Sequence, residues 1–344
     1  MSQRVLITGH RGYIGSVLAP RLLERGYEVI GVDAGYFDAC ALAPSWSSLR
    51  EWTADIRDLS RAELRGFDAV VHLAALSNDP LGELNPAWTE EINTRAAIRL
   101  AELARQAGVA RFVFSSSCIL YGDAGDAEVD ETSPPDPRTV YARSKGEAER
   151  GIAGVAGPGF SPVFLRNGTV WGFSPRMRLD TVVNNLTASA LATGRITIHS
   201  DGRPWRPVVH VEDVAAAFAA ALEAPAHLVH NQAINVGDRA SNRTVREVAR
   251  VVAAAVPGSM VEQLALPGAD QRSYRARFDK IAALLPGFRL RRPLEDGIAQ
   301  LVRDLAPHAG RAFADPRFTR QAWLKRLIAS GAVDANLRPA GVAA

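Results

Sequence analysis

The sequence predicts an α/β protein built on a doubly wound parallel sheet, with a smaller mixed α/β substrate-binding lobe. Short apolar runs rich in β-branched residues alternate with helical segments along the first 165 residues, as in parallel sheets covered by helices. A glycine-rich turn joins the first strand to the first helix, and an acidic residue ends the second strand. After residue 165 the elements are short and mixed, which indicates the second lobe.

The first strand, turn and helix predict a dinucleotide site of the Rossmann type. The strand Arg4–Thr8 runs into Gly9-His10-Arg11-Gly12-Tyr13-Ile14-Gly15, and a helical pattern follows. Glycines let the backbone approach a pyrophosphate, and the helix N-terminus supplies N–H groups and the positive end of its dipole. Asp33 ends the next strand, where a carboxylate binds ribose hydroxyls and repels a 2′-phosphate. We therefore expect NAD rather than NADP, with Arg11 as the counter-argument, because its guanidinium could reach a 2′-phosphate.

Further polar and small residues follow the other predicted strands of this sheet. In doubly wound sheets, ligands lie outside the carboxyl ends of the strands. The residues at these ends should therefore share one crevice, and they are Gly9, Asp33, Asp55, Ala74 and Ser117.

Tyr141 and Lys145 are predicted to lie one helical turn apart on the same helix face. An ammonium beside a phenol favours the phenolate, so we expect the pKa of Tyr141 to fall from about 10 towards neutrality. Such a phenolate could take a proton from a sugar hydroxyl while hydride leaves the same carbon. Because this spacing is common in helices, the pair indicates a catalytic site only together with the dinucleotide site in the same chain.

Composition argues against several classes of protein. The 344 residues carry a net charge of +3 with dispersed basic residues, which gives no support to nucleic-acid binding. No apolar run reaches the roughly 18 residues of a membrane span. Cys40 and Cys118 form neither a disulfide framework nor a metal-binding spacing, which predicts no metal site and a cytoplasmic location.

The changes in pattern also predict a domain division. Residues 1–165 form the dinucleotide-binding domain, and later segments at about 200–245 return to it. Residues 166–310 mainly form the substrate-binding lobe. Residues 311–344 contain a helix followed by a polar tail that we expect to fray.

Six motifs occur in a fixed order along this chain. They are Gly9 to Gly15, Asp55-Ile56, His72-Leu73-Ala74-Ala75, Ser115-Ser116-Ser117, Tyr141 with Lys145, and Arg206 to Asp213. Together they resemble the extended short-chain dehydrogenase/reductase family, in its nucleotide-sugar epimerase/dehydratase branch, over residues 4 to about 300. The resemblance implies a nucleotide-diphosphate sugar as substrate. It also implies a homodimer, formed through a four-helix interface of the helices predicted at 86–108 and 141–156.

The resemblance also implies site residues. The catalytic residues would be Tyr141 as acid/base, Lys145, which would bind the nicotinamide ribose and lower the pKa of the tyrosine, and Ser117, which would bind the reacting sugar oxygen. The expected cofactor-binding residues are Gly9, Arg11, Gly12, Tyr13, Ile14, Gly15, Asp33, Asp55, Ile56, Leu73, Ala74, Ala75, Tyr141 and Lys145. The expected substrate-binding residues are Ser77, Ser117, Asn167, Arg206 and Arg272, with the two arginines clamping the nucleotide diphosphate.

The residues after Ser117 separate the reactions of this branch. Its 4,6-dehydratases carry an Asp-Glu pair there, whereas this chain has Cys118 and Ile119. Similar 3,5-epimerases place a cysteine where Ile119 stands, so Cys118 is one residue out of register and should face the other side of the strand. A 3,5-epimerase using Cys118 is therefore disfavoured.

The remaining reactions need hydride transfer and one proton at a single carbon. We expect an NAD-dependent nucleotide-sugar epimerase acting at C4, with a nucleotide-sugar 4-ketoreductase as the alternative. Asp33 favours the epimerase, because stand-alone reductases more often use NADPH. A non-catalytic dinucleotide sensor is less favoured, since it has no need of Ser117, Tyr141 and Lys145 together.

Overall fold

The computed structural model describes residues 2–43, 49–264 and 272–339. Its strands are β1 (Arg4–Thr8), β2 (Glu28–Asp33), β3 (Arg50–Thr53), β4 (Ala69–His72), β5 (Arg111–Ser117), β6 (Glu128–Val129), β7 (Ser161–Asn167), β8 (Thr169–Trp171), β9 (Arg195–Ile198), β10 (Trp205–His210), β11 (Gln232–Val236), β12 (Asn242–Thr244), β13 (Met260–Gln263) and β14 (Arg275–Ala276). Its α-helices are α1 (Gly15–Glu24), α2 (Asp79–Gly82), α3 (Pro86–Thr89), α4 (Ala96–Ala107), α5 (Val140–Val155), α6 (Val182–Thr193), α7 (Val211–Glu223), α8 (Ala226–Val229), α9 (Val245–Ala255), α10 (Asp279–Leu284), α11 (Leu294–Leu305), α12 (Ala309–Ala314) and α13 (Arg320–Ala329).

A seven-stranded parallel sheet runs in the order β11-β7-β5-β4-β1-β2-β3. Strand β1 lies between β2 and β4, with Leu6 opposite Ile30 on one side and Val70 on the other. The order reverses direction next to β1, which is the switch point where doubly wound sheets bind ligands. The predicted fold class is confirmed.

Alternating side chains of β1 show how the two faces of the sheet are covered. Val5 and Ile7 pack into a core with α1 and α7 on one face, and Leu6 packs into a core with α4 and α5 on the other. All three side chains are fully buried. A strand buried on both faces reads as a continuous apolar run, as the sequence has it here.

A second group of elements extends from the carboxyl edge of this sheet. Strand β8 pairs with β10, which pairs with β12, and β13 pairs with β9. Helices α6, α9 and α11 pack together behind these strands in a separate apolar cluster. Strand β11 pairs with β7 in the main sheet, whereas β10 belongs to the three-stranded sheet. We retain the division into a dinucleotide-binding domain and a substrate-binding lobe as a proposal.

The helix predicted at 86–108 is interrupted. Its first turn is α3, residues Glu90–Arg95 form a π-helical segment, and α4 completes it. The wider turn places Asn93 between the segment that follows β4 and helix α5. Its Oδ1 accepts from the Leu76 backbone N–H at 2.8 Å, and its Nδ2 donates to Ser144 Oγ at 3.1 Å. Isolated π-turns of this kind are frequent at functional sites.

The chain after α13 packs against the segment that follows β3. Arg57 Nη1 donates to the carbonyl of Asn336 at 2.8 Å, and Arg57 Nη2 donates to that of Leu337 at 2.9 Å. The Leu337 side chain is fully buried in the core beside α4. We call residues 320–339 the C-terminal strap, and the last five positions of the chain lie outside the described residues.

Helices long and apolar enough to cross a membrane are absent from the described ranges. The same part of the chain holds no group of three or more His, Cys, Asp or Glu residues placed to bind a metal ion.

A buried ion pair supports the ends of β5 and β7. Arg166 on β7 binds the carboxylate of Glu149 on α5, and both side chains are about nine-tenths buried. Ser116 Oγ donates to Glu149 Oε2 at 2.7 Å, and Arg166 Nη1 donates to the Tyr121 hydroxyl at 3.1 Å. This network therefore fixes the strand residue directly before Ser117.

We expect Arg166→Met to destabilise the protein by about 3–5 kcal/mol, because it leaves the Glu149 carboxylate buried without its cation. The double variant Glu149→Leu/Arg166→Met is the matched control, since it buries no charge. Urea unfolding should show the double variant to be more stable than the single one. Equal stabilities of the two variants would contradict this interpretation of the pair.

Candidate active site

A cavity of about 470 Å³ lies at the carboxyl edge of the main sheet. It brings together all the predicted site residues except Arg11. The cofactor-binding candidates in its lining are Gly9, Gly12, Tyr13, Ile14, Gly15, Asp33, Asp55, Ile56, Leu73, Ala74, Ala75, Tyr141 and Lys145. The substrate-binding candidates in its lining are Ser77, Ser117, Asn167, Arg206 and Arg272. Their individual roles remain predictions.

The glycine turn has no room for side chains. Gly9 adopts a φ of +76°, and a Cβ added there would lie 2.7 Å from the backbone nitrogen of Ala74. A Cβ on Gly15 would lie 2.3 Å from the carbonyl oxygen of Gly9. The turn therefore brings β1, β4 and the first turn of α1 together as bare backbone, which fits a dinucleotide pyrophosphate.

The carboxylate of Asp33 is held by two backbone N–H groups. It accepts from Arg11 at 3.1 Å and from Gly35 at 2.9 Å, and it lines the cavity. Burial raises the pKa of Asp33, whereas these hydrogen bonds lower it. The site thus presents an acidic group where an adenosine ribose is expected, in line with NAD.

The side chain of Arg11 does not take the place predicted for it. Its Nε and Nη2 bind both carboxylate oxygens of Glu51, at 3.1 and 2.8 Å, and its Nη1 lies 2.9 Å from Asp38 Oδ2. The hydrogen bond from Arg11, opposed by burial, holds the pKa of Glu51 down at about 2. Two carboxylates thus pair with the guanidinium, which weakens the argument for a 2′-phosphate.

Asp55, at the expected adenine end, is bound within the protein. Arg57 donates to Asp55 Oδ1 from its backbone N–H at 2.8 Å and to Oδ2 from Nη2 at 2.6 Å. Tyr36 donates to the same carboxylate at 3.2 Å, and Arg338 of the C-terminal strap lies 3.6 Å away. Although burial acts in the opposite direction, the hydrogen bonds from Arg57 lower the pKa of Asp55.

Helix α5 begins at the cavity. Thr139 caps it by accepting from the Ala142 N–H at 3.1 Å, and the Thr139 hydroxyl donates to Asp79 Oδ1 at 2.6 Å. Lys145 Nζ donates to the carbonyl of Ser115 at 2.9 Å and lies 6.0 Å from the centre of the Tyr141 ring. Strand β5 therefore holds the lysine amine in place. On helix α5 the lysine lies one turn from the tyrosine, as the spacing predicts.

Burial acts against the predicted fall in the pKa of Tyr141. Burial raises the pKa of Tyr141, and the nearby charge of Asp79 raises it further. Burial also lowers the pKa of Lys145 to about 7, so the amine is only partly charged at neutral pH. The cation that acts on the phenol is Arg178, whose charge lowers the pKa of Tyr141. The charge of the lysine favours the phenolate, whereas the cost of burying that charge acts against it.

The strand ends place Ser117 and Asn167 side by side, opposite each other in the register of β5 and β7. Ser117 Oγ accepts from the Ile119 N–H at 3.2 Å and lines the cavity. Asn167 Nδ2 donates to Ser115 Oγ at 3.1 Å. Its buried Oδ1 has no hydrogen-bond partner among the described residues, which suits a ligand donor.

Cys118 is fully buried and does not line the cavity, whereas Ile119 does. The Cys118 thiol donates to the carbonyl of Arg166 at 3.1 Å, and burial raises its pKa. A buried, protonated thiol turned away from the cavity gives a 3,5-epimerase no acid or base.

The two arginines expected to clamp a nucleotide diphosphate lie together at the cavity. Arg206 Nη1 donates to the carbonyls of Trp205 and Arg272. Arg272 Nη2 lies 2.6 Å from Asp79 Oδ2. Asp270 and Gln271, which precede Arg272, lie outside the described residues.

A polar group that no sequence motif indicates also lines the cavity. It consists of Arg178, Asp180, Thr181 and Arg320, and Arg178 Nε binds Asp180 Oδ1 at 2.6 Å. Arg320 comes from the C-terminal strap, so no local motif joins it to the others. The nearest signal is the sequence Arg178-Leu179-Asp180 before a helix, which carries no specific chemistry by itself.

The profile of the NAD dependent epimerase/dehydratase family matches residues 5–237. The chain belongs to this family. A family member from Streptomyces lividans, UDP-glucose 4-epimerase, is 32% identical over 277 residues, which cover 73% of this chain and 82% of that protein.

Two solved structures are similar over most of the chain. One is MoeE5 in complex with UDP-glucuronic acid and NAD, with a TM-score of 0.77 at 28% identity, covering 94% of this chain and 100% of that one. The other is TunA, an NAD dependent NDP-hexosamine 5,6-dehydratase, with a TM-score of 0.78 at 25% identity, covering 88% and 97%. Family membership confirms that the protein is an NAD-dependent enzyme of the epimerase or related oxidoreductase type.

The lowered pKa of Lys145 predicts a pH-dependent cost in stability. Below about pH 7 the amine is charged both folded and unfolded, so the burial penalty is present in full. Between pH 7 and the ordinary value of 10.5 the folded amine loses its proton first, so stability rises with pH. We therefore expect Lys145→Met to melt about 2 °C or more above the wild type at pH 6.5.

This difference in melting temperature should shrink as the pH approaches 10. Lys325→Met, at an exposed lysine of α13, is the matched control and should show no such trend. Thermal melting of the three proteins across this pH range makes the measurement. A difference independent of pH would show that the charge of Lys145 carries no burial cost.

Proposed function

We propose that the protein is an NAD-dependent nucleotide-sugar 4-epimerase. The observation that carries the proposal is the joint position of Ser117, Tyr141 and Lys145 in the cavity that also holds the glycine turn. The relative from Streptomyces lividans is named a UDP-glucose 4-epimerase, which supports a UDP-sugar as the substrate. Ser117 is followed by Cys118, which is buried, and by Ile119, which is apolar. Neither residue can replace the Asp-Glu pair of a 4,6-dehydratase, so that reaction is disfavoured.

The glycine turn, Asp33 and Lys145 would hold NAD, which supplies a reversible hydride acceptor for the sugar carbon. Tyr141, in its phenolate form, would take the proton of the C4 hydroxyl as hydride leaves C4, which would make a 4-keto sugar. Ser117 donates a hydrogen bond to the reacting oxygen. Rotation of the keto sugar in the cavity would then present the opposite face of C4 to the returning hydride. Tyr141 then returns its proton to the oxygen, so the overall reaction is redox-neutral.

The C-terminal strap favours an epimerase over a ketoreductase. A reductase must exchange its cofactor in every cycle, whereas an epimerase can keep it bound. Tyr36 and Asp55, which line the cavity, are joined to the strap through hydrogen bonds to Leu337 and through Arg57. These contacts tie the expected adenine end to the strap, which favours a cofactor that stays bound.

We expect the purified protein to carry bound NAD and to interconvert C4 epimers of a UDP-sugar without added NADH. Mass spectrometry of the denatured protein measures the bound cofactor, and product analysis measures the interconversion. Reduction of a 4-keto sugar with stoichiometric consumption of added NADH would instead establish the ketoreductase.

We expect Tyr141→Phe to lower turnover by about 100-fold or more while NAD stays bound, because the general acid/base is lost and the cavity wall is kept. Tyr27→Phe is the control, since Tyr27 lies outside the cavity lining. Product assays and bound-NAD measurements separate chemistry from folding. Full turnover by Tyr141→Phe would remove the tyrosine from the mechanism, and no turnover by the wild type with any UDP-, GDP-, CDP- or dTDP-sugar would favour the dinucleotide sensor.

We also propose a homodimer in the cytoplasm. Helices α4 and α5 pack side by side, as an interface of four helices from two copies requires. The expected result of light scattering is twice the chain mass of 37.0 kDa. A monomer at micromolar concentration would contradict the dimer and would leave the proposed chemistry unaffected.

A further inference from the structure

Asp79 connects the start of helix α5 to the segment that carries Arg272. Its Oδ1 accepts at 2.6 Å from the hydroxyl of Thr139, the N-cap of α5, and its Oδ2 accepts at 2.6 Å from Arg272 Nη2. The side chains of Asp79 and Arg272 are each about one-fifth exposed, and both residues line the cavity. One carboxylate thus joins two segments of the site that are distant in the sequence.

Helix α2, which begins at Asp79, also packs directly against Tyr141. A Cβ on Gly82 would lie 3.1 Å from both the backbone nitrogen and the Cβ of Tyr141, closer than ordinary van der Waals contact. Glu83 Oε1 accepts from the backbone N–H of Val140 at 3.1 Å. Helix α2 therefore holds the first turn of α5 through two hydrogen bonds and a close backbone contact.

The position of Asp79 is itself fixed by its neighbour Asn78. Asn78 Oδ1 accepts from the Leu81 N–H at 2.9 Å, which caps α2, and Asn78 Nδ2 donates to Asp180 Oδ2 at 2.9 Å. The start of α2 is therefore anchored to a second cavity-lining segment, and the Asp79 carboxylate is held beside α5.

The charge of Asp79 acts on the phenol of Tyr141. Burial is the larger cause that raises the pKa of Tyr141, the charge of Asp79 raises it further, and that of Arg178 lowers it. Lys145 lies 6.0 Å from the centre of the ring, and Glu83 and Arg143 lie near the first turn of α5 but outside the cavity lining. The other charged side chains of the lining are Asp33, Asp55, Asp180, Arg206, Arg272 and Arg320. Because Arg272 binds Asp79 directly, it offsets the carboxylate that acts on the phenol.

We propose that Asp79 is a positioning residue for the reaction at Tyr141, and that Arg272 assists it by pairing with this carboxylate beside the start of α5. The pair holds the first turn of α5 and offsets a negative charge close to the phenol. An arginine expected to bind the nucleotide diphosphate would therefore also act on the acid/base. The inference rests on Tyr141 as the acid/base of the proposed function, and it holds for an epimerase and a ketoreductase alike.

The test compares the pH dependence of kcat in the NAD-saturated wild type with that of Asp79→Asn and Arg272→Met. The phenolate takes the proton in the epimerase reaction, so kcat falls on the acid side with the pKa of Tyr141. Asp79→Asn keeps an oxygen that can accept from Thr139 and removes the negative charge. We therefore expect its acid limb to move about 0.5 pH unit or more to lower pH. Arg272→Met leaves the carboxylate without this cation, so its limb should move to higher pH by a similar amount.

The double variant Asp79→Asn/Arg272→Met should follow Asp79→Asn, because Arg272 acts on the phenol through the carboxylate. Glu83→Gln is the matched control, since it keeps an acceptor for Val140 and removes a charge of the same short helix outside the cavity lining. Its acid limb should stay in place. In a ketoreductase the protonated phenol is the active form, so the same shifts would be measured on the alkaline limb.

An acid limb that stays in place in Asp79→Asn, or that moves in the same direction in both single variants, would overturn the proposal. A higher KM for the nucleotide sugar in Arg272→Met with an unmoved limb would leave Arg272 as a ligand of the diphosphate alone, which would also overturn it. If Asp79→Asn does not fold, Arg272→Met decides by itself, because its limb must move to higher pH.

A titration that needs no turnover separates this proposal from the proposed function. The tyrosinate absorbance of Tyr141 is obtained by subtracting the titration of the same protein carrying Tyr141→Phe. Its onset should lie at lower pH in Asp79→Asn than in the wild type. Equal onsets in the two folded proteins would overturn the role of Asp79 and leave the epimerase reaction standing. A shifted onset in a protein that turns over no nucleotide sugar would support the action of Asp79 on Tyr141 and overturn the proposed function.

Discussion

The parallel register of the main sheet is the constraint on which the site depends. Parallel strands end at the same edge, so residues far apart in the chain meet without any motif linking them. Gly9 follows β1, Asp33 ends β2, Ser117 ends β5 and Asn167 ends β7, and all four line the same cavity. The hydrogen bond from Lys145 to the carbonyl of Ser115 then attaches α5 to this edge.

The part of the site that follows from local pattern could be predicted from the sequence. The glycine turn needs residues without a Cβ, the end of β2 carries an acid, and Tyr141 and Lys145 follow a helical spacing. Each of these signals lies within a few residues, so it survives without knowledge of the tertiary structure. The order of the motifs along the chain then indicated the family correctly.

The contacts that local pattern missed come from distant segments. Arg320 reaches the cavity from the C-terminal strap, and Asn93 joins Leu76 to Ser144 through a π-turn that no spacing rule indicates. The sequence predicts a fraying tail after α13, because the local pattern does not show that Leu337 is buried in a distant core. Arg11 was misplaced because its partner Glu51 lies forty residues away.

Burial, more than charge pairing, sets the electrostatics of this cavity. It lowers the pKa of Lys145 and raises that of Tyr141, which opposes the simple picture of a lysine that activates a phenol. The guanidinium of Arg178 keeps its charge at any working pH. The cavity thus combines the buried guanidiniums of Arg178 and Arg320 with a lysine whose pKa is lowered to about 7.

The central claim is that one hydride leaves and returns to the same carbon inside a closed site. A UDP-hexose carrying deuterium at C4 tests it most directly, with the isotope content of both epimers followed by mass spectrometry during turnover. The account predicts that the epimer formed keeps the deuterium at C4 without added NADH. Loss of the deuterium to solvent, or epimers that appear only when NADH is supplied, would contradict it.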